Sequence, residues 1–217
     1  MDVLARLDET RAANNVLEHP FYARWVAGGL SAEELARYSA QYRRAVVALA
    51  DASLAAAEAA GPADAEGLGH HAEEERAHVG LWDSFAAACA RAAGREDAEA
   101  PEAPGTAACV ASWTAGESLL ERLAVLYAIE ASQPEISRTK LEGLRAHYPY
   151  VEEGPATDYF SLHQLRDVEH AEAAAELISE LIALAPDPEA QQERMLMRAE
   201  AALRGNWELL DSVEAGG

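Results

Sequence analysis

The stretch "LAVLYAIEASQPEI" sets Leu123, Leu126 and Tyr127 seven, four and three positions before Glu130. That is one apolar stripe of helical period with a carboxylate at its end. Helix punctuation recurs along the whole chain, and strand punctuation is almost absent. The spacing predicts a first helix to about Leu17 and a restart at "HPFYARW", with Pro20 in a first turn and Gly28 and Gly29 ending the element. "SAEE" from Ser31 is a capping box, in which the serine side chain and Glu34 satisfy each other's exposed backbone donors. It opens a long helix to about Ala59, stopped by Gly61 and Pro62, and another covers roughly Asp64 to Ala93.

"GREDAEAPEAPGT", 94–106, is expected to be a long loop, rich in Pro, Gly and charge. "TAGE" from Thr114 is a second expected capping box, starting a helix through Glu130. Pro134 then kinks or restarts the chain, and the next piece runs to about His147. After the loop "YPYVEEGPATD" a helix extends to about Leu184, and a final one follows Pro186 and Pro188 to about Val213. The expected architecture is an all-α, single-domain bundle of seven to eight helices spanning 1–217, without internal repeats.

Composition narrows this. Hydrophobic residues make up 50% of 217, with alanine dominant and β-branched runs few, which suits helices packed closely together. A formal charge of −21 disfavours nucleic acid and anionic membranes, since both demand clustered Lys and Arg. Cys89 and Cys109 form no CxxC and no disulfide framework. "MDVLARLDET" carries acids where a signal peptide needs basic and then apolar residues, and no window approaches about 18 uninterrupted apolar residues. A cytoplasmic location is expected.

Candidate chemistry starts at "HQLRDVEHAEAA", where His163, Asp167 and His170 are spaced four and three apart. On a helix they fall within an arc of about 60°. Alone, such a triplet fits a solvated surface helix. "HHAEEERAHVGLW" adds Glu75 and His78, three apart, with Glu74 and His71 four and seven before His78. Consecutive glutamates are usually solvated too. Glu130, on its apolar stripe, is costly to bury as an anion unless a Lys, an Arg or a metal meets it. Glu75, His78, Glu130, His163, Asp167 and His170 together give three carboxylates and three imidazoles from three helices. Two pairs have the carboxylate-x-x-His spacing used by di-iron carboxylate bundles. Mixed oxygen and nitrogen donors suit iron or manganese.

These motifs resemble the haem-oxygenase-like non-haem di-iron oxidases and oxygenases, kin to the thiaminase-II and pyrroloquinoline-quinone-synthase folds. The resemblance runs from "HPFYARW" at 19 to "DYFSLHQLRDVEH" ending at 170, through "YAIEASQPEISRTKLEGL" at 127–144. It implies His163, Asp167 and His170 as ligands, Glu130 as the family's single middle glutamate, and Glu75 in the first block, with Glu74 or His71 as alternatives. It also implies two Fe ions, or one Fe and one Mn, with O2 as co-substrate. The partners implied are dioxygen and an external reductant, with a homodimer as the candidate assembly.

Within the group the sequence is most similar to the p-aminobenzoate synthases typified by the chlamydial protein associating with death domains. These consume one of their own tyrosines and take the amino group from a lysine. The residues carried over are Tyr22, Tyr38, Tyr159 and Lys140, the lysine lying ten beyond Glu130. Other readings are an oxidase of an external amino-acid or fatty-acid-like molecule, a ferritin-like metal store and a non-catalytic helical binding module. Thiaminase-II chemistry needs a cysteine on the Glu130 helix, where neither Cys89 nor Cys109 lies. Haem would need a proximal histidine, and His19, next to Pro20, is poorly placed for it.

Overall fold

A computed structural model describes residues 2–97, 99–148, 151 and 154–216. Among these, the elements are α1 (Val3–Ala13), a 3-10 turn (Val16–Glu18), α2 (Pro20–Val26), α3 (Ala32–Ala59), α4 (Ala65–Ala92) and α5 (Pro104–Trp113). They continue with α6 (Leu119–Glu130), α7 (Gln133–His147), α8 (Asp158–Ala183) and α9 (Pro188–Ala215). The described residues form no strand, and none of their helices is long and apolar enough to cross a membrane.

The capping box at Ser31 and Glu34 starts α3 as the sequence predicts. α3 and α4 run antiparallel over their whole length, tied at the surface by Arg43–Asp83 and Asp51–Arg76 ion pairs. α9 packs on α5 and α6, and α8 on α6 and α7.

Three boundaries differ from expectation. The first helix stops at Ala13 rather than Leu17, because two asparagines divert the backbone. The Asn14 side-chain amide donates to Thr10 O, and Asn15 Oδ1 accepts from Leu17 N to start the 3-10 turn.

The expected 94–106 loop gives way at Pro104 to α5, a helix opened by a proline that needs no donor in the first turn. Its anchor is Gln41 of α3, which donates to Pro101 O and accepts from Ala103 N and the Thr106 hydroxyl. Gly205 of α9 lets the two helices touch, since a Cβ there would stand 2.3 Å from Ser112 Oγ.

"TAGE" is not a cap. Thr114 Oγ1 donates back to Val110 O at the end of α5, Gly116 turns the chain at φ +148°, and Ser118 caps α6 by accepting from Glu121 N. The same S-x-x-E pattern recurs four residues later, and the later copy is used.

The core has two parts. One is aromatic, built from Trp25, Tyr38, Tyr42, Trp82, Phe85 and Phe160 around α3 and α4. The other is aliphatic, with Leu7, Leu123, Ile178 and Met195 joining α1, α6, α8 and α9. Fully burying a phenylalanine-sized side chain is worth roughly 1.5–3 kcal/mol over leaving it exposed. Such packing offsets the cost of the polar groups enclosed where α4, α6 and α8 meet.

Candidate metal centre

α4 presents His71, Glu75 and His78 at spacings of four and three, and α8 presents His163, Asp167 and His170 at the same two spacings. Each set therefore lies on one stripe of its helix. Glu130, the last residue of α6, enters between them and is fully buried. Glu75, His163 and Asp167 are almost inaccessible, and His78 and His170 nearly so.

Donor atoms converge in two groups whose members all lie within 4.8 Å of one another. One is His71, Glu75, Glu130 and His170; the other is Glu75, His78 and His163. Glu75 belongs to both, so its carboxylate stands where two neighbouring cations could share it. Asp167 falls in neither group, but its Oδ1 is 3.7 Å from His170 Nδ1. All six residues expected as ligands thus meet in one place. His71 joins them, and Glu74 stays outside. The repeated four-and-three spacing was the signal for His71, with Glu75 as the middle residue of its triplet.

Hydrogen bonding sets the two α8 imidazoles in opposite tautomers. His163 Nδ1 lies 2.6 Å from Tyr159 O and can only donate to it, which leaves the Nε2 lone pair facing the cluster. His170 Nε2 lies 3.2 Å from Glu74 Oε2, which leaves Nδ1 facing Glu75 Oε1 at 3.6 Å. His78 Nδ1 is 3.1 Å from Glu75 Oε1.

Burial pushes His163 down to about 4, only partly offset by Glu75, so it is neutral at pH 7. Burial, together with Glu130 and Glu75, raises the Asp167 carboxyl well above the usual range. Burial acts to lower His71, but Glu130 together with Glu75 and Glu74 outweighs it and the net value is about 9.

The donor set fits a pair of metal ions. Among the described residues, eight buried atoms of the cluster make no hydrogen bond: His71 Nε2, Glu75 Oε2, both Glu130 and both Asp167 oxygens, His163 Nε2 and His170 Nδ1. Of these, His71 Nε2 and Glu130 Oε1 face each other as an ion pair at 2.8 Å. An unmade buried hydrogen bond costs about 1–3 kcal/mol per group. A total of that size is borne by a fold only if the atoms have another partner. Three carboxylates and four imidazoles match iron or manganese rather than calcium or a thiolate-bound zinc.

The predicted lysine is separated from the cluster by aromatic rings, Trp82 next to its amine and Tyr159 next to His163. Lys140 is buried, and its Nζ sits 4.5 Å from the Tyr42 ring centroid, 5.4 Å from Tyr38, 5.9 Å from Tyr22 and 5.5 Å from Phe160. Burial lowers it to about 7. Trp25 Nε1 donates to Lys140 O and fixes the backbone there. The Tyr38 hydroxyl is buried without a hydrogen-bond partner. Tyr159 stacks on His163, and its hydroxyl is raised by burial and by Tyr42, Glu75 and Asp167. Tyr42, not anticipated from the sequence, completes the group; its hydroxyl accepts from Gln133 Nε2.

His19 is committed elsewhere: Nδ1 accepts from Phe21 N and Nε2 meets Asp211. Cys89 and Cys109 are buried in α4 and α5, and burial pushes Cys89 up to about 12, so neither is a ready nucleophile.

Sequence comparison gives the class to which this helical fold and its carboxylate-and-imidazole cluster belong. The chain belongs to a family of iron-containing redox enzymes, whose model matches residues 65–207 and so spans every residue of the cluster. The 4-aminobenzoate synthase of Nitrosomonas europaea is 30% identical, aligned over 96% of this chain and 89% of its own. The 4-aminobenzoate synthase of Chlamydia trachomatis is also 30% identical, over 84% and 81%. Among solved structures, a TenA homologue from Pseudomonas syringae pv. tomato superposes with a TM-score of 0.79 at 18% identity, covering 98% of this chain and 91% of its own. A Shewanella denitrificans domain with a heme oxygenase-like fold gives 0.73 at 17%, over 100% and 93%. The fold is haem-oxygenase-like.

Proposed function

We propose that this protein is an O2-dependent, non-haem di-metal oxidoreductase that makes 4-aminobenzoate (p-aminobenzoate), taking the ring from one of its own tyrosines and the nitrogen from Lys140. The observation that carries this reading is the Lys140 amine, enclosed by the rings of Tyr22, Tyr38 and Tyr42 and joined to the donor cluster through the Trp82 ring, which packs on Tyr159 against His163. The relatives named as 4-aminobenzoate synthases support it.

Glu75, His78, Glu130, His163, Asp167 and His170, with His71, would hold two Fe ions, or one Fe and one Mn. When bound, these metals would supply activation of dioxygen, with electrons from an external reductant.

The rest falls to the chain's own side chains. Burial keeps a large share of Lys140 as the neutral amine near pH 7, and the neutral amine is the form that can attack carbon. The aromatic walls exclude water and hold the phenols of Tyr22, Tyr38 and Tyr159 within the same enclosure. The Tyr159 ring lies directly on a metal-facing imidazole.

A second reading is oxidation of an external amino-acid or fatty-acid-like molecule. It draws on a cavity of about 490 Å3 that reaches His71 and His170 and has room for a small substrate.

Expression in a strain lacking other routes to 4-aminobenzoate separates the two. Rescue of growth, lost in Lys140→Ala, is expected. Failure of metal-loaded protein to rescue would remove the 4-aminobenzoate reading and leave the external substrate.

A further inference from the structure

The two donor groups differ in their access to one cavity. The 490 Å3 cavity is lined by His71 and His170 of the first group, together with Glu74, Arg166, Glu169 and Leu126. His163 of the second group is fully buried, and neither it nor His78 lines the cavity. The first group is therefore the outer cation position and the second the inner one.

The imidazoles of the two positions are also held by different means. His163, inner, donates to a backbone carbonyl that the helix itself keeps in place. His170, outer, donates to Glu74, a side chain 25% exposed. Glu74 is held in turn by Arg166, whose Nη2 donates to its Oε1 at 2.7 Å while Nη1 pairs with Glu169. His70 Nε2 stands 3.7 Å from the same Glu74 oxygen. A carboxylate on the far nitrogen of a metal-binding imidazole fixes its tautomer and its plane, and losing such a partner typically costs about 10–100-fold in metal affinity. Here that partner stands on the solvent side, where Arg166 holds it.

We propose that Glu74 and Arg166 form a latch on His170 that governs retention of the outer metal ion, and that the outer ion is the exchangeable member of the pair. This rests on the di-metal reading. The ligand class is a divalent iron or manganese ion entering through the cavity. Glu74 and Arg166 are positioning residues, acting through His170.

The test loads the full chain with Fe(II) under anaerobic conditions, adds a chelator, and follows metal per chain by elemental analysis. Wild type should lose its iron in two phases of about equal size. Glu74→Ala and Arg166→Ala should each speed the first phase about tenfold or more and leave the second unchanged. Glu74→Gln, whose amide oxygen still accepts from Nε2–H, should restore a first phase close to wild type. Loss in a single phase would overturn the proposal, as would equal acceleration of both phases or an unaltered first phase in both alanine variants. A chain that takes up no cation would overturn the latch and the di-metal centre together. Two-phase loss with the Glu74 effect, in a protein that makes no 4-aminobenzoate, would support the latch and remove only the reaction.

Discussion

The Tyr159 ring lies on the His163 imidazole, with 3.8 Å between centroids and 24° between planes, and the carbonyl of the same tyrosine takes the His163 Nδ1 proton. One residue thus fixes both the plane and the tautomer of a group whose other nitrogen faces the donor cluster. Tyr159→Phe keeps the stack and the carbonyl, and should bind metal as wild type does. Tyr159→Ala keeps the carbonyl alone. It should lose about 3–5 kcal/mol of stability, as for other buried rings, and hold the inner ion more weakly. Urea unfolding and elemental analysis check both.

Lys140 imposes a pH dependence on stability. Its folded value of about 7 lies below the unfolded value of 10.5, because burial disfavours the charge. Between those values the unfolded chain carries the extra proton, so stability rises as pH rises from about 7 toward 10.5. Lys140→Met should therefore be more stable than wild type at pH 7, by on the order of a few kcal/mol, with the gap closing toward pH 10. Thermal unfolding across that range measures it. An unchanging gap would place the lysine charge in water.

Use of the chain's own side chains limits the yield. No more than about one 4-aminobenzoate should form per chain, however long the incubation with reductant and oxygen. Peptide mass mapping should show the ring lost at one of Tyr22, Tyr38 and Tyr159 and the nitrogen lost at Lys140. Many products per chain, with all four residues intact, would mean an external substrate.

A close approach supports the lysine from behind. A Cβ on Gly143 would stand 2.5 Å from Trp25 Cδ1, and Trp25 holds the Lys140 carbonyl through Nε1 at 3.2 Å. Gly143→Ala should cost about 1–3 kcal/mol by overpacking and lower the 4-aminobenzoate yield while metal content per folded chain stays the same. Unfolding curves and metal analysis on one preparation separate these effects.

Much of the centre could be read from spacing, because a helix converts separations of three and four into a shared face. His163, Asp167 and His170 were legible on that basis, as were Glu75 with His78 and the stranded charge of Glu130. His71 was visible as well, since its spacing to Glu75 and His78 repeats the α8 triplet, but the run of three glutamates left several choices of first ligand. Tyr42 gave no local sign; α3 and α7 bring it to Lys140 only through tertiary packing. α5 was hidden for the opposite reason. Its Pro and Gly read as loop signals, whereas Pro104 suits a first turn and Gly205 of the partner helix permits close contact. The cap of α6 was misplaced because two Ser/Thr-x-x-Glu patterns compete within eight residues, and the choice is made by Gly116 and by the end of α5.

The most direct measurement is metal content per folded chain, by elemental analysis after anaerobic loading with iron and manganese, in wild type, His78→Ala and Glu75→Ala. Among the described residues, Glu75 alone belongs to both donor groups. About two ions should bind wild type, about one should remain in His78→Ala, and Glu75→Ala should lose nearly all. Two ions retained in Glu75→Ala, or fewer than two in wild type, would contradict a shared centre.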